Sequence, residues 1–175
     1  MWRQNALLVS MPTVGILLPQ MLWVVDFLGW SLVGIRITGM TAYMFNSTIP
    51  LFVRGLSSFH GWLPFALLFL VWRLGYDRRA CLWQALLAVG LLGLCYAIGP
   101  DPPASARGQA WAGNINYVYG MDDGHPQTTM PASAWLLLMI ATNVVAFYIP
   151  THLFLRHFAP SAGYLNIRSS RLTGS

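Results

Sequence analysis

Five residues carry the chemistry this sequence offers: Asp26, His60, Asn114, Asn116 and Tyr117. An imidazole titrates near neutral pH, so His60 is suited to act as a general base or a nucleophile. Asp26 would orient that ring or raise its basicity. Asn114 and Asn116 can donate hydrogen bonds to a developing oxyanion, and Tyr117 completes the binding set. The same residues also admit a plainer reading. His60 then caps a loop carbonyl, Asp26 pairs with Arg36 or Arg54, and the asparagines close turns.

The elements that must position these groups are apolar. Of 175 residues, 56% are hydrophobic and 9% are charged. A soluble domain carries roughly 25% charged residues, so the composition points to a helical bundle in a bilayer. A membrane helix needs about 20 apolar residues. Four stretches meet that need, at about 6–26, 57–74, 80–98 and 132–155. Pro12 and Pro19 lie inside the first, where neighbouring helices can tolerate them. No small-x-small cleavage site follows it, so we read it as an uncleaved first span rather than a signal peptide. The expected fold is therefore an all-α, polytopic membrane bundle forming a single domain.

The stretch 27–56 is harder to place. Its glycines, Pro50 and Asn46-Ser47-Thr48 break the apolar run between Arg36 and Arg54. A re-entrant or interfacial segment is expected there, with a fifth span as the alternative. Residues 99–131 form a polar, proline-rich loop, and a polar tail begins at Arg156. Trp62 and Trp72 suit the aromatic belts at the two ends of the second span.

All ten basic residues are arginine, and the net charge is +5. They cluster at the ends of apolar runs, which is the signature of topology rather than of nucleic-acid binding. With the Arg73/Arg78/Arg79 turn in the cytoplasm, four spans put both termini there too. That side also gathers Arg3, Arg156, Arg168 and Arg171, while Arg36, Arg54 and Arg107 remain on the other. The expectation is a multi-pass inner-membrane protein with Asp26, His60 and the Asn114–Gly120 segment all at the outer face. Ionisable groups at membrane depth usually face a bundle interior or a water-filled cavity.

Gln20, Gln84 and Asn143 fall inside spans and are expected to bond between helices. His152 is expected to anchor the last span at an interface, and His125 to be solvated. Cys81 and Cys95 lie about 20 Å apart on one helix and read as small core residues. The sequence has no Gly-rich phosphate loop, CxxC, HExxH or GxSxG, so neither a cofactor nor a metal site is expected.

Four segments, Phe59–Pro64, Arg73–Arg79, Asn114–Gly120 and Pro150–His152, together resemble a family of uncharacterised bacterial integral membrane proteins. The resemblance runs from about Pro19 to His152 and implies a membrane class without an activity. The chain is also similar to YwaF-type integral membrane proteins, which carry Ser-His-Gly at the head of one helix and Asn-Tyr before the last. The matching residues are Ser58/Phe59, His60 and Gly61, then Asn116 and Tyr117. That group is distantly similar to eukaryotic membrane proteins of lipid acyl transfer and hydrolysis, in which a membrane histidine matters. The resemblance thus implies a role for His60. The chain is shorter than the usual six helices by one or two at its start, which implies a truncated start or a partner subunit.

Two function classes follow. One is a non-catalytic subunit or small carrier, working with membrane lipids and with a membrane-protein partner or further copies of itself. The other is a membrane-embedded lipid hydrolase or acyltransferase using His60 in an outward-facing polar pocket.

Overall fold

Apolar runs of about 20 residues satisfy their own backbone hydrogen bonds only as helices when no water is present, and this chain does so four times. A computed structural model describes residues 2–99, 115–121 and 127–162. Its helices are α1 (Trp2–Leu28), α2 (Leu51–Leu56), α3 (Phe59–Leu74), α4 (Ala80–Ile98), α5 (Ala132–Thr142) and α6 (Ile149–Phe158). A π-helical turn, Gly29–Val33, extends α1, and another, Asn143–Tyr148, joins α5 to α6. Four continuous apolar segments result, Ala6–Val33, Leu51–Leu74, Ala80–Ile98 and Ala132–Phe158, each long and apolar enough to cross a membrane. Among the described residues the protein is a polytopic, all-helical membrane bundle with four such helices.

The helices run further than their apolar stretches predict. The second begins at Leu51, not near residue 57, because α2 leads into α3 through the turn at Ser57 and Ser58. Pro50 starts it, pre-set for the position before a first turn. The fourth continues to Phe158, three residues into the expected tail.

Helix α1 is the hub. It packs along α3 most extensively, then against α4, and touches α6 and the second π turn. Gly15 lets α4 come close: a Cβ there would lie 2.5 Å from Gln84 Nε2. Most large side chains elsewhere face outward. Phe69, Leu82 and Leu137 are all more than 60% exposed, as suits surfaces whose solvent is lipid.

The two ends of the bundle are built differently. At the arginine end, Val14, Val71, Tyr76, Ala80, Tyr148 and Leu155 form a buried cluster. The 75–76 turn pairs there with the residues after α6. Tyr76 donates its N–H to the Pro160 carbonyl at 2.7 Å and accepts from Ala162 N–H at 3.2 Å. Gly75 has φ +83°, and a Cβ on it would sit 2.6 Å from Ala162 Cα, so only glycine fits. At the opposite end, Leu92, Val118 and Tyr119 make a second cluster with Cys95 and Tyr96.

Candidate functional site

Asp26 lies at the far end of α1, fully buried. Its Oδ1 accepts backbone N–H bonds from Ile37 at 3.0 Å, Thr38 at 2.6 Å and Gly39 at 3.0 Å. Its Oδ2 accepts the Thr41 N–H at 3.0 Å and the Thr41 hydroxyl at 2.6 Å. Consecutive amides curled around a carboxylate form an anion nest. This nest folds the 34–50 segment back over the end of α1. A buried carboxylate with so many donors needs no cation, and Arg36 and Arg54 are used elsewhere. The Arg36 guanidinium lies 3.9 Å over the Trp30 ring. Arg54 donates to the carbonyls of Ile49 and Met44.

His60, in the first turn of α3, is bonded to a different partner. Its Nδ1 lies 2.5 Å from Gln20 Oε1, one helix away. The ring stacks on Trp23 at 5.0 Å, and Trp23 donates its indole N–H to the Tyr43 hydroxyl. Asp26 and His60 therefore share one end of the bundle but not a hydrogen bond. The carboxylate serves the loop, and an amide orients the imidazole. With Gln20 Oε1 accepting from Nδ1–H, the ring's basic lone pair sits on Nε2.

Asn116 and Tyr117 converge on a separate cavity, and Asn114 lies outside the described residues. Both described residues take left-handed backbone, φ +57° and +58°, a conformation that costs non-glycine residues energy and tends to mark functional sites. Surrounding contacts hold the strain. Tyr117 carbonyl accepts from Trp135 Nε1 at 2.9 Å, and Asn116 Nδ2 donates to Cys95 Sγ at 3.2 Å. Tyr119 stacks on Tyr96 at 5.0 Å and donates its hydroxyl to that residue's carbonyl.

Beneath them is a cavity of about 300 Å³, lined by Gln84, Ala88, Leu91, Leu92, Asn116, Tyr117, Met139, Asn143 and Tyr148. Its size falls at the small end of ligand sites. Five residues with amide or hydroxyl side chains, Gln84, Asn116, Tyr117, Asn143 and Tyr148, break an otherwise apolar wall. Gln84 reaches the Tyr148 hydroxyl across the helix pair. Asn143 donates to its own helix's Met139 carbonyl at 2.8 Å, which leaves its Oδ1 as an acceptor. The π turn begins at Asn143 and ends at Tyr148. Such turns often appear where a helix re-aims side chains at a site. Gln20 and Gln84 thus bond between helices, whereas Asn143 bonds within its own.

A third polar pair lies at the arginine end. Tyr76 hydroxyl and His152 Nδ1 are 2.6 Å apart. Burial pushes the Tyr76 phenol above its ordinary pKa, with lesser contributions from Cys81 and Asp77, so it remains a donor. Nearby, Arg79 and Asp77 form an ion pair at 2.8 Å. That hydrogen-bonded contact, the larger effect, raises the Arg79 pKa further. His152 is expected from the sequence as an interfacial anchor; its partner, 76 positions away in the chain, has no sequence signal.

No family model, curated protein or solved structure matches the chain. Among the described residues no three His, Cys, Asp or Glu side chains gather to hold a metal. The chemistry available among the described residues is neutral hydrogen bonding in the 300 Å³ cavity and two oriented imidazoles, at His60 and His152.

Proposed function

We propose that the protein is a small membrane-embedded carrier, or the solute-binding subunit of a larger membrane assembly, that holds a small uncharged polar molecule. One observation supports this above the rest. The strained Asn116–Tyr117 pair, the two ends of the π turn and Gln84 all line a single cavity. The ligand is neutral because the lining carries amides and hydroxyls but no charge. An ion moved there would be left unpaired at a cost of several kcal/mol, on the order of the membrane insertion penalties for charged side chains. The ligand offers both donors and acceptors, because Tyr148 and the amides offer both in return. The same reading places the protein in the inner membrane with both termini cytoplasmic, by the arginine distribution.

The test is solute flux into liposomes containing the full chain, with glycerol, erythritol and glucose as probes. Wild type should exceed empty liposomes for at least one probe, and Gln84→Leu should return that rate to the empty-liposome value. Wild-type rates equal to empty liposomes for all three would overturn the carrier. A solute-binding subunit would still quench its cavity-edge tyrosine fluorescence with the same probes, and no quenching would remove that form too.

A second reading, a lipid hydrolase or acyltransferase, is favoured by one specific feature. Gln20 holds the His60 ring so that Nε2 carries the lone pair a general base needs.

A further inference from the structure

The two ends of the amide-lined cavity are closed by different means. Its wall on α4 follows one helical stripe, Gln84, Ala88 and Leu91. The facing wall follows another, Met139 and Asn143. At the deep end Gln84 meets the Tyr148 hydroxyl. Tyr148 is buried in the cluster at the arginine end, so helix packing seals that side.

The other end is closed by the short turn Ile115–Tyr117. Cys95 continues the α4 stripe one turn beyond Leu91, and Trp135 continues the facing stripe one turn before Met139. Each therefore stands about 6 Å along its helix from the lining, toward the end away from the arginines. The turn is bonded to both. Asn116 Nδ2 donates to Cys95 Sγ, and the Tyr117 carbonyl accepts from Trp135 Nε1. It lies as a strap from α4 to α5 across the cavity mouth.

The strap is held unequally along its length. At its root, Val118 and Tyr119 are buried with Leu92, and Tyr119 donates its hydroxyl to the Tyr96 carbonyl. At its tip, Ile115 and Tyr117 are 39% and 42% exposed. The two bonds that tie the tip to the helices are solvent-exposed, so water can replace a lost partner at little cost. The left-handed backbone of Asn116 and Tyr117 holds strain that lifting the tip releases.

We propose that the Ile115–Tyr117 strap is the gate of this cavity. It lifts about the buried Val118–Tyr119 root, parts the Asn116–Cys95 and Tyr117–Trp135 bonds, and admits solute from the end away from the arginines. Exposed, weakly tied segments open in this way while the core stays folded. The purpose of the gate rests on the carrier reading above, whereas its motion can be measured without it. Cys95 lies under the closed strap and Ala88 lies inside the cavity, so a thiol at either position reports opening.

The test is thiol labelling of the full chain in neutral detergent by a small methanethiosulfonate reagent, followed by mass spectrometry. One probe is native Cys95 in a Cys81→Ala background. The other is Ala88→Cys combined with Cys81→Ala and Cys95→Ser, which keeps an acceptor for Asn116. When opening and closing are fast, labelling tracks the population of the open form. Trp135→Phe removes one bond of the tip and should speed labelling of both probes about fivefold, the factor for one neutral hydrogen bond. Asn116→Ala cuts the other bond and should speed Cys95 labelling to a similar extent; it decides if Trp135→Phe fails to fold. An unchanged rate at Cys95, or a rise there without one at position 88, would overturn the gate. Solute flux has no part in this readout, so a failed carrier assay and a failed gate are separate results.

Discussion

Gln20 and His60 face each other across α1 and α3, with Oε1 of the first 2.5 Å from Nδ1 of the second. This bond replaces the carboxylate–imidazole pair that the shared location of Asp26 and His60 suggests. An amide fixes a tautomer but adds no negative charge, so it raises ring basicity far less than a carboxylate does. Gln20→Leu should therefore cost about 1 kcal/mol of stability, the scale of one neutral hydrogen bond. If His60 is a base, His60→Ala should abolish the turnover that Gln20→Leu only weakens. Comparing membrane lipid profiles of cells making wild type, His60→Ala or neither checks this. Profiles that are identical at matched expression would remove the enzyme reading.

Asp26 is a structural anchor for the 37–41 backbone. Asp26→Asn keeps the shape but turns an NH2 toward amides that need an acceptor. The expected loss is about 3 kcal/mol, in the range for breaking a buried charge-assisted network. Denaturation of the purified variant measures it. The loop, freed from its nest, should also become sensitive to protease between residues 34 and 50 while the helices stay intact.

Gly15 separates stability from function in the amide-lined cavity. The Cβ of Gly15→Ala would meet the Gln84 amide, which is flexible and can swing aside. Stability should change by about 1 kcal/mol or less. Solute flux should fall nearly as far as in Gln84→Leu, because the displaced amide no longer reaches Tyr148. Flux equal to wild type in both variants would place Gln84 outside the site.

The buried Tyr76 phenol makes an alkaline-pH prediction. Its folded pKa is raised above the unfolded value of about 10. A group raised in this way contributes stability that is complete below the unfolded value and is lost as pH rises toward the folded one. Stability of wild type should therefore fall above about pH 10 more steeply than that of Tyr76→Phe. Equal slopes for the two proteins would mean that the phenol is not buried as described.

Topology can be read by labelling. In a background lacking Cys81 and Cys95, Asn116→Cys should react with a membrane-impermeant thiol reagent in intact cells, and Asp77→Cys should react only after lysis. The reverse pattern would invert the assigned orientation.

The four spans were legible because a run of about 20 apolar residues has few other stable states. Their ends were less so: Gly55 and the serines at 57 and 58 look like a break, yet α2 and α3 continue past them. Asp26 was visible as costly, but four of its five donors are backbone amides, which no side-chain pattern reveals. Asn116 and Tyr117 stand out in the sequence as a pair, and the structure sets both at the edge of one cavity. Gln84, Asn143 and Tyr148, which meet them, sit on other helices, and sequence does not set helix rotation. The Tyr76–His152 bond was hidden for the same reason.

The pairing of Tyr76 with residues 160–162 has a consequence for biogenesis. The turn between the second and third spans emerges from the ribosome early, yet its final partners are made roughly eighty residues later. Until they arrive, Tyr76 lacks both its backbone mates and His152. The bundle therefore matures last at the junction that forms early in sequence, and a stalled nascent chain would present that open corner to insertion and quality-control factors.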